Sequence, residues 1–249
     1  KNLLKKNGSE LGKNAYQLLY FGQIKEALAV AKLAVTLNPQ NEKLWALLAE
    51  AQISNNLYDE AIISINKGKL INPLISELYF AESSIYINQK KFKKAKNALT
   101  EGLKIQPKNI NAHFQFGNIF LLEKNFKKAL LKYDRTIAIK ENFWQAYNNK
   151  GLILYELNKI NLASQNFKKA LEIENDAEPQ LALAVCLQNN NREKSISLAK
   201  KALERNPNYV SYKYRKLQLW GDKLQKDTEK LLKLKELQQA VNLANLYKN

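Results

Sequence analysis

Apolar and polar positions along this chain alternate with a helical period in short runs, and the runs come in pairs. Leu11, Ala15 and Leu18 line one side of a first run, and Ala27, Ala31 and Ala34 line the facing side of a second. Small residues at facing points let two helices approach closely while larger ones fill between them. The segment Tyr20-Phe21-Gly22-Gln23 joins the two runs, and Gly22 is free to take a left-handed backbone there. The same arrangement then recurs. Pro39, Pro73 and Pro107 lie 34 residues apart, Ala27, Ala61 and Ala95 precede them by twelve, and Ile24, Tyr58 and Phe92 precede those alanines by three. A fixed period with small, bulky and proline marks in register predicts a solenoid of helical hairpins. Such a fold escapes the size limit of one globular core, because each repeat meets only its neighbours.

Six units follow, at 8–41, 42–75, 76–109, 110–143, 144–177 and 178–209. Residues 1–7 are expected as a polar lead-in and 210–249 as C-terminal capping helices. The second unit is the most regular, with Trp45, Leu48 and Ala49 on its first helix and Ala61, Ile65, Gly68 and Pro73 on its second. The third offers Tyr79, Ser83, Tyr86, Ala95, Leu99, Gly102 and Pro107. The fourth has Phe116, Gly117, Phe120, Ala129 and Tyr133, with Glu141 in place of the proline. The fifth has Tyr147, Gly151, Leu154, Ala163, Phe167 and Ala170, with Asn175 at that place. The sixth recovers Pro207 but is two residues short, a deletion expected in the Gln188–Arg192 turn, where three asparagines supply turn chemistry. Beyond Val210, Tyr214, Leu217 and Trp220 read as one amphipathic helix that Gly221-Asp222 interrupts. A last helix capped by Asp227 or Thr228 is expected to run to about Tyr247. This tail either caps the open end of the stack or folds into its groove.

These marks, over residues 8–209, resemble the tetratricopeptide repeat (TPR) family. The resemblance implies an all-α, right-handed superhelical solenoid whose first helices line a concave groove. Carried onto this chain, groove positions are Lys13, Tyr16 and Tyr20, then Lys43, Leu47, Glu50 and Ser54. The third unit supplies Glu77, Phe80, Ser84 and Asn88, and the fourth Asn111, Phe114, Gln115, Asn118 and Leu122. The fifth supplies Gln145, Asn148, Asn149, Leu152 and Tyr155. The expected partner-binding set is Tyr16, Leu47, Phe80, Ser84, Asn111, Phe114, Asn118, Asn148, Asn149 and Tyr155. Carboxamides can donate to a carbonyl and accept from an N–H, so they suit a peptide backbone of any sequence. The aromatic members suit apolar anchors. Lysine- and asparagine-rich coding drift is the alternative source of those amides. The family's carboxylate clamp is absent, since Phe114, Pro179 and Leu183 stand where its cations belong.

Charge changes the picture less than its size suggests. The formal charge is +17, from 40 basic and 23 acidic residues, but only four of the cations are arginine, the residue that bidentate phosphate recognition favours. The first helices of units two to five carry two lysines (Lys43, Lys150) against six glutamates (Glu42, Glu50, Glu77, Glu82, Glu123, Glu156), while the rest of those units carries 18 basic and 8 acidic residues. The basic excess is therefore expected on the outer helices, densest at Lys90, Lys91, Lys93, Lys94 and Lys96 and again at Lys124, Lys127, Lys128 and Lys132. It reads as a solvated face, with weak contact to an anionic membrane surface as the functional alternative.

One histidine and one cysteine leave no raw material for a metal cluster, and at most a single pair for nucleophilic catalysis. His113 and Cys186 are expected in the core. No glycine-rich phosphate loop exists among eight glycines. The chain is expected to be non-enzymatic and without a cofactor. It contains no apolar run long enough to span a membrane, but it starts at Lys1 and lacks methionine, so a leader or anchor upstream is an open expectation. The leading expectation is a scaffold that binds a polypeptide segment in the groove while a larger complex is assembled or stabilised. The photosystem assembly factors of cyanobacteria and plastids, often membrane-held, are the resemblance within the family. A regulatory or transport-associated module occluded by its own C-terminal helix is the alternative, and an RNA-associated repeat protein a third. No nucleic acid is expected as partner, because the groove's charge sign opposes a phosphate backbone.

Overall fold

The computed structural model describes residues 2–248, which form fifteen α-helices and two short 3-10 turns, with no strand among them. The first twelve helices are six pairs: α1 (Asn2–Tyr20) and α2 (Ile24–Leu37), α3 (Glu42–Ser54) and α4 (Tyr58–Ile71), α5 (Ser76–Asn88) and α6 (Phe92–Ile105), α7 (Ile110–Leu122) and α8 (Phe126–Ile139), α9 (Trp144–Glu156) and α10 (Ile160–Ile173), α11 (Ala177–Leu187) and α12 (Arg192–Arg205). This is an all-α helical-repeat fold. Contacts divide it into two compact units, one up to Ala112 and one from His113 onward.

In the first unit, the predicted alanines are the points of closest approach: Ala15, Ala27, Ala31, Ala34, Ala61 and Ala95 are wholly buried. Leu44, Leu48, Ile65, Leu78 and Ile85 fill the space beside them. Each such large side chain contributes about 1.5–3 kcal/mol by leaving water. In the second unit, the rings follow the same logic. Gly117 and Gly151 lie so close to Tyr133 and Phe167 that an added Cβ would stand 2.4 and 2.5 Å from a ring carbon. A glycine on the first helix thus admits an aromatic ring from the second.

The hairpin turns repeat as strictly as the cores. Gly22, Asn56, Lys90, Lys124 and Asn158 all have positive φ, between 56° and 74°, at a spacing of 34 residues. At each, the following N–H reaches back to the carbonyl five residues earlier, as in Gln23 to Leu18 and Lys91 to Tyr86, closing the first helix with a Schellman turn. The sixth turn lacks this residue. There α11 is two residues shorter than α9, and Asn191 caps α12 by accepting from the Lys194 N–H at 3.1 Å.

The two ends differ from expectation. Helix α1 begins at Asn2, so the segment expected as a lead-in is helical, apart from Lys1, which lies outside the described residues. The cause is packing: Gly8 sits against Asn38, whose amide donates to the Lys5 carbonyl at 3.4 Å. At the C-terminus, the chain forms α13 (Tyr212–Leu217), α14 (Asp222–Leu232) and α15 (Gln238–Tyr247). The single helix expected after an Asp227 or Thr228 cap is therefore two, and the first starts upstream of that cap, at Asp222. Neither Asp227 nor Thr228 caps it. The Glu156 carboxylate does, accepting from the N–H groups of Lys223 at 3.2 Å and Leu224 at 2.9 Å, where a helix N-terminus favours negative charge.

Candidate functional site

The residues expected to bind a partner divide sharply by location. In the second unit, the hydroxyl of Tyr133 donates to Asn118 Oδ1 at 2.7 Å, and Asn149 Nδ2 donates to the same oxygen at 2.9 Å. Asn148 Nδ2 donates to Asn149 Oδ1 at 3.1 Å. Asn148 and Asn149 are buried, and burial raises the Tyr133 phenol well above its ordinary range. This amide chain holds α7, α8 and α9 together. Phe114 is half-buried, its ring 5.7 Å from Tyr133 and 5.1 Å from Phe143.

The tail covers what remains of that face. Tyr155 is buried and donates through its hydroxyl to Asp227 Oδ2 at 2.9 Å. The Trp220 indole N–H donates to Glu178 Oε1 at 2.9 Å, and Glu178 also takes hydrogen bonds from Asn148 and Tyr209. Burial pushes the Glu178 carboxyl up to about 7, and those donors only partly offset it. Arg215, fully buried, donates to Gln225 Oε1 at 2.8 Å, to the Tyr209 carbonyl at 2.6 Å and to Glu229. Leu224, Leu231, Leu232 and Leu237 join the core of α9 to α12. Helix α11 is consequently buried along almost its whole length, which explains its apolar sequence. His113 is buried, and so is Cys186, whose thiol burial pushes up to about 12, away from the low values of a reactive cysteine.

The first unit is different. Its first helices α1, α3 and α5 pack side by side. Tyr16 is 61% exposed and Tyr20 78%; Leu47 and Phe80 are half-buried, with Phe80 lying over Gly102. Ser84 is half-buried and donates to the Phe80 carbonyl at 3.1 Å, leaving its oxygen able to accept. Asn111, at the start of α7, is exposed. Tyr16, Leu19, Tyr20, Ile24, Glu50 and Ser54 enclose a cleft of about 190 Å³. The α1–α2 turn at Gly22 presents Tyr20 and Phe21 edge to face at 5.3 Å. Sequence reasoning placed Tyr20 and Glu50 on this face but gave neither a role, and it missed Glu178 and Arg215 as anchors. The signal for the last was a lone arginine among the lysines of 213–216.

Among the described residues no group of three or more His, Cys, Asp or Glu could hold a metal ion, and no helix is long and apolar enough to cross a membrane.

Tetratricopeptide repeat family models match residues 18–78, 76–109 and 145–176, so the chain carries tetratricopeptide repeats. No curated protein matches it. Solved structures do. PilF of Pseudomonas aeruginosa is 16% identical, with 86% of this chain and 98% of that one covered and a TM-score of 0.73. PilW, described as a widely conserved type IV pilus biogenesis factor, is 18% identical over 94% of this chain and 98% of its own, at 0.66. YrrB, described as a TPR protein with an unusual peptide-binding site, is 20% identical over 72% and 94%, at 0.57. At these identities the likeness shows the shared helical-repeat fold.

Proposed function

We propose that this chain is a non-catalytic scaffold that binds a segment of another polypeptide on the α1, α3 and α5 face during assembly or stabilisation of a larger complex. One observation carries this reading. On that face Tyr16 and Tyr20 are exposed and Leu47, Phe80 and Ser84 half-buried, whereas Asn148, Asn149 and Tyr155 are engaged within the chain. The narrowed binding set within this unit is Tyr16, Leu47, Phe80 and Ser84, with Asn111 as a candidate addition. A biogenesis factor and a peptide-binding TPR protein among similar folds support the class. Whether the complex is a photosystem, as the family resemblance suggests, is decided by which partner the face captures.

The alternative of a self-occluded regulatory module has the α14 packing in its favour. Its energetics oppose release. Four buried leucines at about 1.5–3 kcal/mol each would return to water, comparable to the whole stability of a domain. We read the tail as a permanent cap. An RNA partner is disfavoured by the carboxylates Glu50 and Glu77 on this face and by the scarcity of arginine.

A photo-crosslinking amino acid at Tyr16 tests the proposal against the same group at Leu70, which lies 86% exposed on α4. Capture of one defined partner segment from Tyr16 and not from Leu70 is expected. Equal capture at both positions overturns the assignment.

A further inference from the structure

We infer that the cleft between Tyr16, Tyr20 and Glu50 is a pocket for a basic side chain, arginine or lysine, of the bound segment. This deepens the proposed function and rests on it for the identity of the ligand's carrier. Three observations lead there. First, the Glu50 carboxylate has neither a hydrogen bond nor an ion pair among the described residues, in contrast to Glu82, which holds Lys69 at 2.7 Å, and Glu60, which has Lys32 at 3.5 Å. The residue is exposed, and its carboxyl lines the cleft, where partial desolvation raises its pKa and a cation would restore its ordinary ionisation. Second, Glu50 lines a cleft of about 190 Å³ together with Tyr16 and Tyr20, large enough for the end of one long side chain. Third, the chain's own lysines show how this fold treats its other rings. Lys67 stands over Trp45 at 4.8 Å, Lys69 over Tyr79 at 4.1 Å and Lys94 over Tyr86 at 5.5 Å. Tyr16 and Tyr20 have no such cation among the described residues. Lys13, one turn from Tyr16, is held by Glu10 at 3.0 Å.

A carboxylate sharing a cleft with aromatic rings can recognise a cation by charge-assisted hydrogen bonding and ring attraction together. The overall charge of +17 does not prevent this. At physiological salt, exposed charges more than about 8 Å away are largely screened. Phe21 lies against Tyr20 with ring centroids 5.3 Å apart, at the mouth of the α1–α2 turn.

The probe is an N-acetylated, C-amidated alanine pentapeptide with a central arginine, compared with its citrulline counterpart, which keeps the shape and removes the charge. Amide NMR shifts are followed in the full chain. Saturable shifts at Tyr16, Tyr20 and Glu50 are expected, with about tenfold weaker binding of the citrulline peptide. Glu50→Gln should lower the arginine peptide to the citrulline level without changing the thermal midpoint. Equal shifts from both peptides would keep the face as a peptide site and overturn the cation pocket. Shifts from neither would overturn the pocket, while the crosslinking above judges the face separately. Self-association that Glu50→Gln abolishes would place a second copy's lysine in the cleft and overturn its assignment to a partner.

Discussion

The hydroxyl of Tyr155 lies 2.9 Å from the carboxylate of Asp227, a residue 72 positions further along the chain. A tyrosine on a first helix, where a solenoid of this kind would receive a partner, is thus already occupied by α14 of the chain's own tail. Burial acts to raise the Asp227 carboxyl, but Lys230, Tyr155 and Lys223 together hold it below its ordinary value. Its stabilisation is therefore full above the unfolded aspartate value and lost as pH falls through the folded one. Tyr155→Phe should lower stability by about 1–2 kcal/mol at neutral pH, measured by urea unfolding. The deficit should shrink under acid. An unchanged midpoint would contradict this account of the tail.

Glu178 should give the opposite pH response. Its carboxyl, raised by burial to about 7, binds a proton more readily folded than unfolded. Stability from this group is thus complete below about 4.5, declines as pH rises toward about 7, and is flat above. Glu178→Gln keeps an acceptor for the Trp220 indole and removes the titration. It should gain about 3 kcal/mol relative to the parent between pH 4.5 and 8, read from tryptophan fluorescence during unfolding. A parallel pH profile for the two proteins would refute it.

The left-handed turn residues offer a gain of stability. Lys90 and Lys124 hold φ near 57°, which costs a residue with a Cβ about 1–2 kcal/mol. Glycine avoids that strain but loses more entropy on folding, so each Lys→Gly exchange should stabilise by a net 0.5–1 kcal/mol or so, additively. Calorimetry checks this, and a loss at either site would show that the turn is held by something other than backbone conformation.

Gly117→Ala should destabilise by about 1–3 kcal/mol, because the new methyl would meet the Tyr133 ring and that ring is fixed by its bond to Asn118. The double variant with Tyr133→Leu should recover part of the loss. No recovery would mean that the strain lies elsewhere.

The repeat fold was legible because its determinants are local and periodic. Ala27, Ala61 and Ala95 mark helix contacts, and Gly22 announced a left-handed turn that Asn56, Lys90, Lys124 and Asn158 then repeat without glycine. The candidate site was legible only to the level of the helix face. Asn118 and Asn149 do lie on first helices, but whether an amide is free depends on what packs opposite, here Tyr133 from α8. The tail was harder still. Glu156 caps α14 across 67 residues of sequence, and no local signal at Asp227 or Thr228 could reveal that a distant carboxylate had taken the capping role. The α1 helix began early for the same reason, since Asn38, the residue just past α2, supports it.

Hydrogen exchange of the full chain, alone and saturated with the segment captured at Tyr16, tests most directly where partners bind. The account predicts new protection in α1, α3 and α5, with α9 and α11 unchanged beneath the tail. Protection gained in α9 and α11, with α14 becoming exposed, would contradict it.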